Sequence, residues 1–129
     1  GRGTMVREGR DVLIVAYGPV LLNEAVKAAE LLKEKNVSAA VLNLPWLNRL
    51  DVTWMGEIVK PYRRVVTVDD HYLEHGQGAF LSASLADAGI DVKMTHLGVT
   101  EIPACGSSAE VLAYHKLNAA SIAEAATRV

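Results

Sequence analysis

Hydrophobic positions along the chain switch repeatedly between two periods. Residues 12–16, Val-Leu-Ile-Val-Ala, form an unbroken apolar run, the pattern of a strand buried on both faces. Tyr17-Gly18-Pro19 breaks it, and over residues 20–35 the period becomes helical. Leu22, Ala25, Val26, Ala29 and Leu32 share one face, with Asn23, Lys27, Glu30 and Glu34 on the other. Lys33 and Lys35 suit the negative end of that helix, and Asn36 can close it in the left-handed conformation. The pattern then predicts a strand over 38–44 stopped by Pro45, a short helix over 52–59 ending before Pro61, and a strand over 64–69. A loop over 70–76 and a helix over 78–88, closed by Gly89, follow. Residues 92–97 alternate, with Val92, Met94 and His96 against Lys93, Thr95 and Leu97, which reads as a half-exposed edge strand. Ser107 and Glu110 are spaced as a capping box for a helix to about residue 115. An alanine-rich helix covers 118–128. Residues 4–8 are a short extended piece ended by Gly9. Strands alternating with helices predict an α/β domain of three layers, α/β/α, around a mostly parallel sheet. Residues 12–16, 41–44 and 65–68 should be its central strands, and 92–97 an edge.

At 129 residues the chain is one domain, 1–129, with enough length to bury a core without a metal or disulfide staple. Its 13 basic and 15 acidic residues leave a net charge of −2 with no basic block, which argues against a nucleic-acid footprint or a polybasic membrane patch. The longest apolar run, about residues 12–17, is far short of the roughly 20 that a membrane span needs. Cys105 is the one cysteine and can form no internal disulfide, so a reducing, cytoplasmic setting is expected. The chain opens Gly-Arg-Gly-Thr with neither an initiator methionine nor an apolar signal region. A domain of a longer polypeptide is therefore the expectation.

In parallel sheets function gathers at the carboxyl ends of the strands. The segments to watch are 17–19, 45–48, 69–78 and 98–106. The most polar is Asp69-Asp70-His71-Tyr72-Leu73-Glu74-His75, which contains the H-x-x-E-H zinc pattern. That chemistry needs both imidazoles on one helix face. Here the pattern follows a strand and runs into Gly76-Gln77-Gly78, so no metal site is expected. Those glycines could leave backbone N–H groups free for an anion, but close packing of helix on strand is the expected use. Cys105, before a helix N-terminus, has only His115 nearby in sequence as a base, across a helix, so no catalytic role is assigned to it. His96 is expected to be a satisfied structural histidine and Arg63-Arg64 a solvated turn. Trp46 follows a proline in a loop, where it is either a lid over the core or an interface anchor.

The order of these segments carries a resemblance. Residues 7–18 with the following helix, Val41-Leu42-Asn43-Leu44-Pro45 up to Leu50-Asp51, and Val68-Asp69-Asp70-His71 running into Gly76-x-Gly78 resemble the C-terminal domain of transketolase-like enzymes. So do residues 96–99, 105–112 and 117–122. The resemblance implies a five-stranded mixed sheet with one antiparallel strand, residues 4–8. It also implies a parent enzyme that uses thiamin diphosphate and Mg, transferring two-carbon ketol units between sugar phosphates. The parent's pyrimidine- and diphosphate-binding domains would hold the cofactor. This chain has no Gly-Asp-Gly motif, so none is expected to bind here and no residue is assigned to catalysis. The domain's implied role is packing and homodimer assembly. Trp46, Leu47, His71, Tyr72, Leu73, His75, Gly76 and Gly78 are the candidates for an interface at the strand edge. Relatives sharing the domain are 1-deoxyxylulose-5-phosphate synthase, the beta subunit of 2-oxoacid dehydrogenases and a domain of 2-oxoacid:ferredoxin oxidoreductases. A stand-alone module that binds a small ligand is the third possibility. His75-Gly76-Gln77-Gly78 and Cys105 depart from the commoner family residues and leave the exact reaction open.

Overall fold

The computed structural model describes residues 1–128. The elements run β1 (Thr4–Arg7), β2 (Val12–Ala16), α1 (Pro19–Glu34), β3 (Ala39–Asn43), α2 (Val52–Val59), β4 (Arg64–Tyr72), α3 (Gln77–Asp87), β5 (Met94–Val99), α4 (Ser108–Tyr114) and α5 (Ala119–Thr127). The sheet order is β1-β3-β2-β4-β5. β1 pairs antiparallel with β3, and the remaining pairs are parallel, giving the mixed sheet that the resemblance implied.

The unbroken apolar strands lie between two helical layers. Val12, Ile14, Val41, Val66 and Val68 pack under α1 and α5. Leu13, Val15, Leu42 and Val65 pack under α2 and α3. Every β2 side chain is buried, and burying each branched residue stabilises the fold by about 1.5–3 kcal/mol. The α1 core face is turned slightly from the expected one: Leu21, Ala25, Ala28, Ala29 and Leu32 are buried, with Leu22 and Val26 at its margin. Asn36 adopts φ 58° and Gly89 φ 72°, the left-handed closures that the sequence suggested.

Three expectations need correction. β4 runs to Tyr72, where residues 70–72 had read as loop. Its exposed last three residues carry no apolar signal, yet Tyr72 pairs with Val99 beyond a register shift. The last strand is Met94–Val99 rather than 92–97, and both of its faces are partly covered. Met94 packs on the α2/α3 side, Leu97 and Val99 on the α1/α5 side. Arg64 is no solvated turn residue: it opens β4, is buried, and its Nη1 donates to Thr95 Oγ1 at 2.6 Å.

Candidate functional site

β2 feeds α1 on one face of the sheet, and neighbouring β4 feeds α3 on the other. The carboxyl ends of β2 and β4 therefore flank the point where the chain reverses its winding, the usual crevice for a ligand in such sheets. Here the protein's own side chains fill it. The Tyr17 hydroxyl donates to Asp69 Oδ1 at 3.1 Å. Asp69, 1% exposed, also accepts from the backbone N–H groups of Gln77 at 2.7 Å and Gly78 at 2.9 Å. The carboxylate thus sits on the N-terminus of α3 and satisfies donors that the helix leaves orphaned. Burial, reinforced by the adjacent Asp69 charge, pushes the Tyr17 phenol well above its ordinary range.

Gly76 and Gly78, candidates for an interface or the strand edge with close packing as their expected use, are buried. A Cβ on Gly78 would lie 2.2 Å from Thr67 Oγ1 and 2.7 Å from His96 Nδ1. Their use is close packing of helix on strand, and the N–H groups an external anion would need are taken by Asp69. His96 is the satisfied histidine expected: its Nδ1 lies 2.8 Å from Thr67 Oγ1. Burial lowers its pKa, a trend that the Asp69 charge opposes.

Gln77 extends the network to the third strand end. Its buried Nε2 donates to the carbonyls of Leu44 at 2.7 Å and Trp46 at 2.9 Å. The loop bearing Trp46 and Leu47 is thereby tied to the start of α3. The Trp46 indole N–H donates to the Arg2 carbonyl at 3.0 Å, and the Arg49 guanidinium lies over the ring, 5.6 Å from its centroid. Trp46, Leu47 and Tyr72 remain 41%, 52% and 49% exposed. Leu73 is half-buried, and His71 and His75 are exposed. His71 lies in a strand, so the H-x-x-E-H residues do not share a helix. Among the described residues no group of three or more His, Cys, Asp or Glu is disposed to hold a metal ion.

The 100–107 connection lies at the same edge. The Ala104 N–H donates to His115 Nε2 at 3.0 Å, so the imidazole near Cys105 is engaged by backbone. Cys105 itself is exposed. Ser107 and Glu110 form the capping box, whose Ser107 N–H and hydroxyl hold the Glu110 carboxyl below its ordinary range. Sequence reasoning missed Tyr17, Asp69 and Gln77 as one polar node. It also missed Ile102 and Tyr114, which stand 87% and 56% exposed. The diphosphate of thiamin diphosphate finds no cradle at the α3 N-terminus, where Asp69 already occupies the donors, so no chemical step is assigned to the cofactor here. Among the described residues no helix is long and apolar enough to cross a membrane.

Comparison with known proteins agrees with this architecture. The transketolase C-terminal domain family matches residues 1–122. The chain is 38% identical over 101 residues to 1-deoxy-D-xylulose-5-phosphate synthase of Parasynechococcus marenigrum (strain WH8102), covering 78% of this chain and 16% of that protein. It is 36% identical over 125 residues to the same-named enzyme of Synechococcus sp. (strain JA-2-3B'a(2-13)), covering 96% and 19%. Among solved structures, a split-gene transketolase described as an inactive beta4 tetramer superposes with a TM-score of 0.89 at 26% identity. That match covers 97% of this chain and 41% of the other. The chain thus spans less than a fifth of the length of these synthases.

Proposed function

We propose, starting from the fact that this chain belongs to the transketolase C-terminal domain family, that it is the assembly domain of a transketolase-like enzyme. The whole enzyme uses thiamin diphosphate and Mg, held by its pyrimidine- and diphosphate-binding domains, to transfer two-carbon ketol units between sugar phosphates. This chain contributes packing and homodimer contacts. One observation carries the reading. Trp46, Leu47 and Tyr72 are exposed apolar side chains on segments tied down by Gln77, which bonds the Leu44 and Trp46 carbonyls, and by the Leu73–Val99 backbone bond. Aromatic anchors on a preorganised edge favour a partner surface, because little conformational freedom is lost on binding. The synthase relatives favour a second reading of the parent, as a 1-deoxyxylulose-5-phosphate synthase in which this domain plays the same part. The filled crevice between β2 and β4 gives no support to a small-ligand module.

The test is the double substitution Trp46→Ser with Tyr72→Ser, made in the full-length enzyme and in the 129-residue chain. Sedimentation should show weakened assembly, with activity lost in parallel, while the melting temperature of the isolated chain stays nearly unchanged. A loss of about 3–5 kcal/mol in the isolated chain, the cost of truncating core aromatics, would place both residues in the core and defeat the reading. Assaying the enzyme for ketol transfer and for 1-deoxyxylulose 5-phosphate formation decides between the two parents.

A further inference from the structure

The carboxyl edge also holds a groove away from the Trp46 loop. β4 and β5 end side by side, where Tyr72 pairs with Val99 and the Leu73 N–H donates to the Val99 carbonyl at 2.9 Å. Two cavities, of about 410 and about 370 Å³, meet there at His71, Tyr72 and Val99. The second has an apolar lining of Val99, Pro103, Val111, Leu112 and Leu117. Its walls are fixed. Ala104 is tied to His115, and the capping box fixes the first turn of α4.

The charge around this groove is one-sided. Residues 65–92 and 94–115, which build nearly all of it, contain no Lys or Arg, although the chain has 13. Asp70 lines one cavity and Glu74 the other. Glu101 and Glu110 stand on the adjoining connection and on α4, and all four are exposed. His71, Tyr72, His75 and His115 are the other titratable side chains lining the two cavities, and Lys116, between the lining residues His115 and Leu117, is the nearest base in sequence. An apolar floor inside an anionic rim repels nucleic acid and anionic lipid surfaces alike. It complements a segment that offers apolar side chains between cationic ones.

We infer that this groove docks an apolar peptide segment flanked by Lys or Arg, supplied by a partner polypeptide of the assembled enzyme. The inference rests on the reading of this edge as an assembly surface and adds the chemistry of what the groove takes. Tyr72 and Val99 separate two pockets for alternate apolar side chains, and the carboxylates receive the flanking cations.

The probe is the synthetic peptide acetyl-Lys-Lys-Leu-Phe-Leu-Lys-Lys-amide, titrated into the isotope-labelled 129-residue chain and followed by amide chemical shifts. Two control peptides replace every Lys by Glu or every apolar residue by Ser. Saturable binding of the first peptide alone is expected, with shifts confined to residues 70–75, 99–104 and 111–117. Affinity should fall when salt is raised to about 300 mM. The variant Asp70→Lys with Glu101→Lys should bind about tenfold more weakly while keeping the spectrum of a folded chain. Absence of saturable binding, equal binding of the Glu peptide, or shifts centred elsewhere would overturn the inference. Trp46→Ser, outside the groove, separates the two claims: it should weaken enzyme assembly and leave peptide affinity unchanged. An enzyme carrying that substitution that assembles normally defeats the assembly reading, whatever the peptide does.

Discussion

Asp69 holds a buried carboxylate with no Lys or Arg within ion-pair distance among the described residues. Its compensation comes from dipoles: the Tyr17 hydroxyl and two N–H groups at the head of α3. Asp69→Asn leaves one acceptor oxygen and turns an amide donor toward a backbone donor. Loss of a charge-assisted bond of this kind costs about 1.5–3 kcal/mol, to be read as a lower urea midpoint at unchanged slope. A shift equivalent to less than about 0.5 kcal/mol would show that the carboxylate is dispensable. His96 sets a pH dependence. Burial lowers its pKa from the ordinary 6.5, so the unfolded chain takes up this proton before the folded one does. The stability linked to His96 is therefore fully present above pH 6.5 and is lost as pH falls toward and through the depressed folded value. Glu30 is depressed by Arg7, Asp51 by the Trp54 N–H, and Glu110 by Ser107. They start from 4.5, 3.8 and 4.5 and so act in a more acidic window. His96→Gln, which keeps an amide for Thr67, should flatten the fall in melting temperature between pH 7 and 5; an unchanged slope would assign it elsewhere. At this scale the sequence was only half legible. Asp69 and Asp70 look alike as letters, and the strand pleat alone sends the first inward and the second to solvent.

Elements were easier to read than their ends. Asn36, Gly89 and the Ser107–Glu110 box are local signals whose physics is complete within a few residues, and each terminates or starts a helix where it was expected. The last turn of β4 was not legible, because what keeps residues 70–72 extended is pairing with β5, nearly 30 residues away. The glycines opening α3 illustrate the same limit. Their spacing signalled a close approach of backbone to something, and that something is the Thr67–His96 rung of two other elements. Gly78→Ala puts a methyl group 2.2 Å from Thr67 Oγ1, and the helix must lift or the rung must break. Overpacking of this kind costs about 1–3 kcal/mol, measurable by urea denaturation. A neutral Gly78→Ala would mean that α3 rides on the sheet with slack.

For the whole molecule, fold class followed from apolar runs alternating with helical periods, since strands buried on both faces demand helices on both sides. The interface candidates were legible as an edge, but which of them face outward was not: Trp46, Leu47 and Tyr72 do, while Gly76 and Gly78 are walled in. The groove between β4 and α4 was invisible, because its floor comes from residues as far apart as Tyr72 and Leu117. The polar node has a consequence in time. Tyr17 and Asp69 are 52 residues apart, and Gln77 reaches back 33 to Leu44 and 31 to Trp46. Bonds of such separation form only after the strands bearing them have met, because closing long loops costs entropy that local contacts do not. Gln77→Ala should therefore hasten unfolding and leave the folding rate nearly untouched, a φ-value near zero in chevron kinetics; a value near one would put the node in the nucleus instead. If the node closes last, a chain with its sheet assembled but its edge undone presents no fixed Trp46 loop, and the assembly proposed for this edge would be open only to molecules that have finished folding.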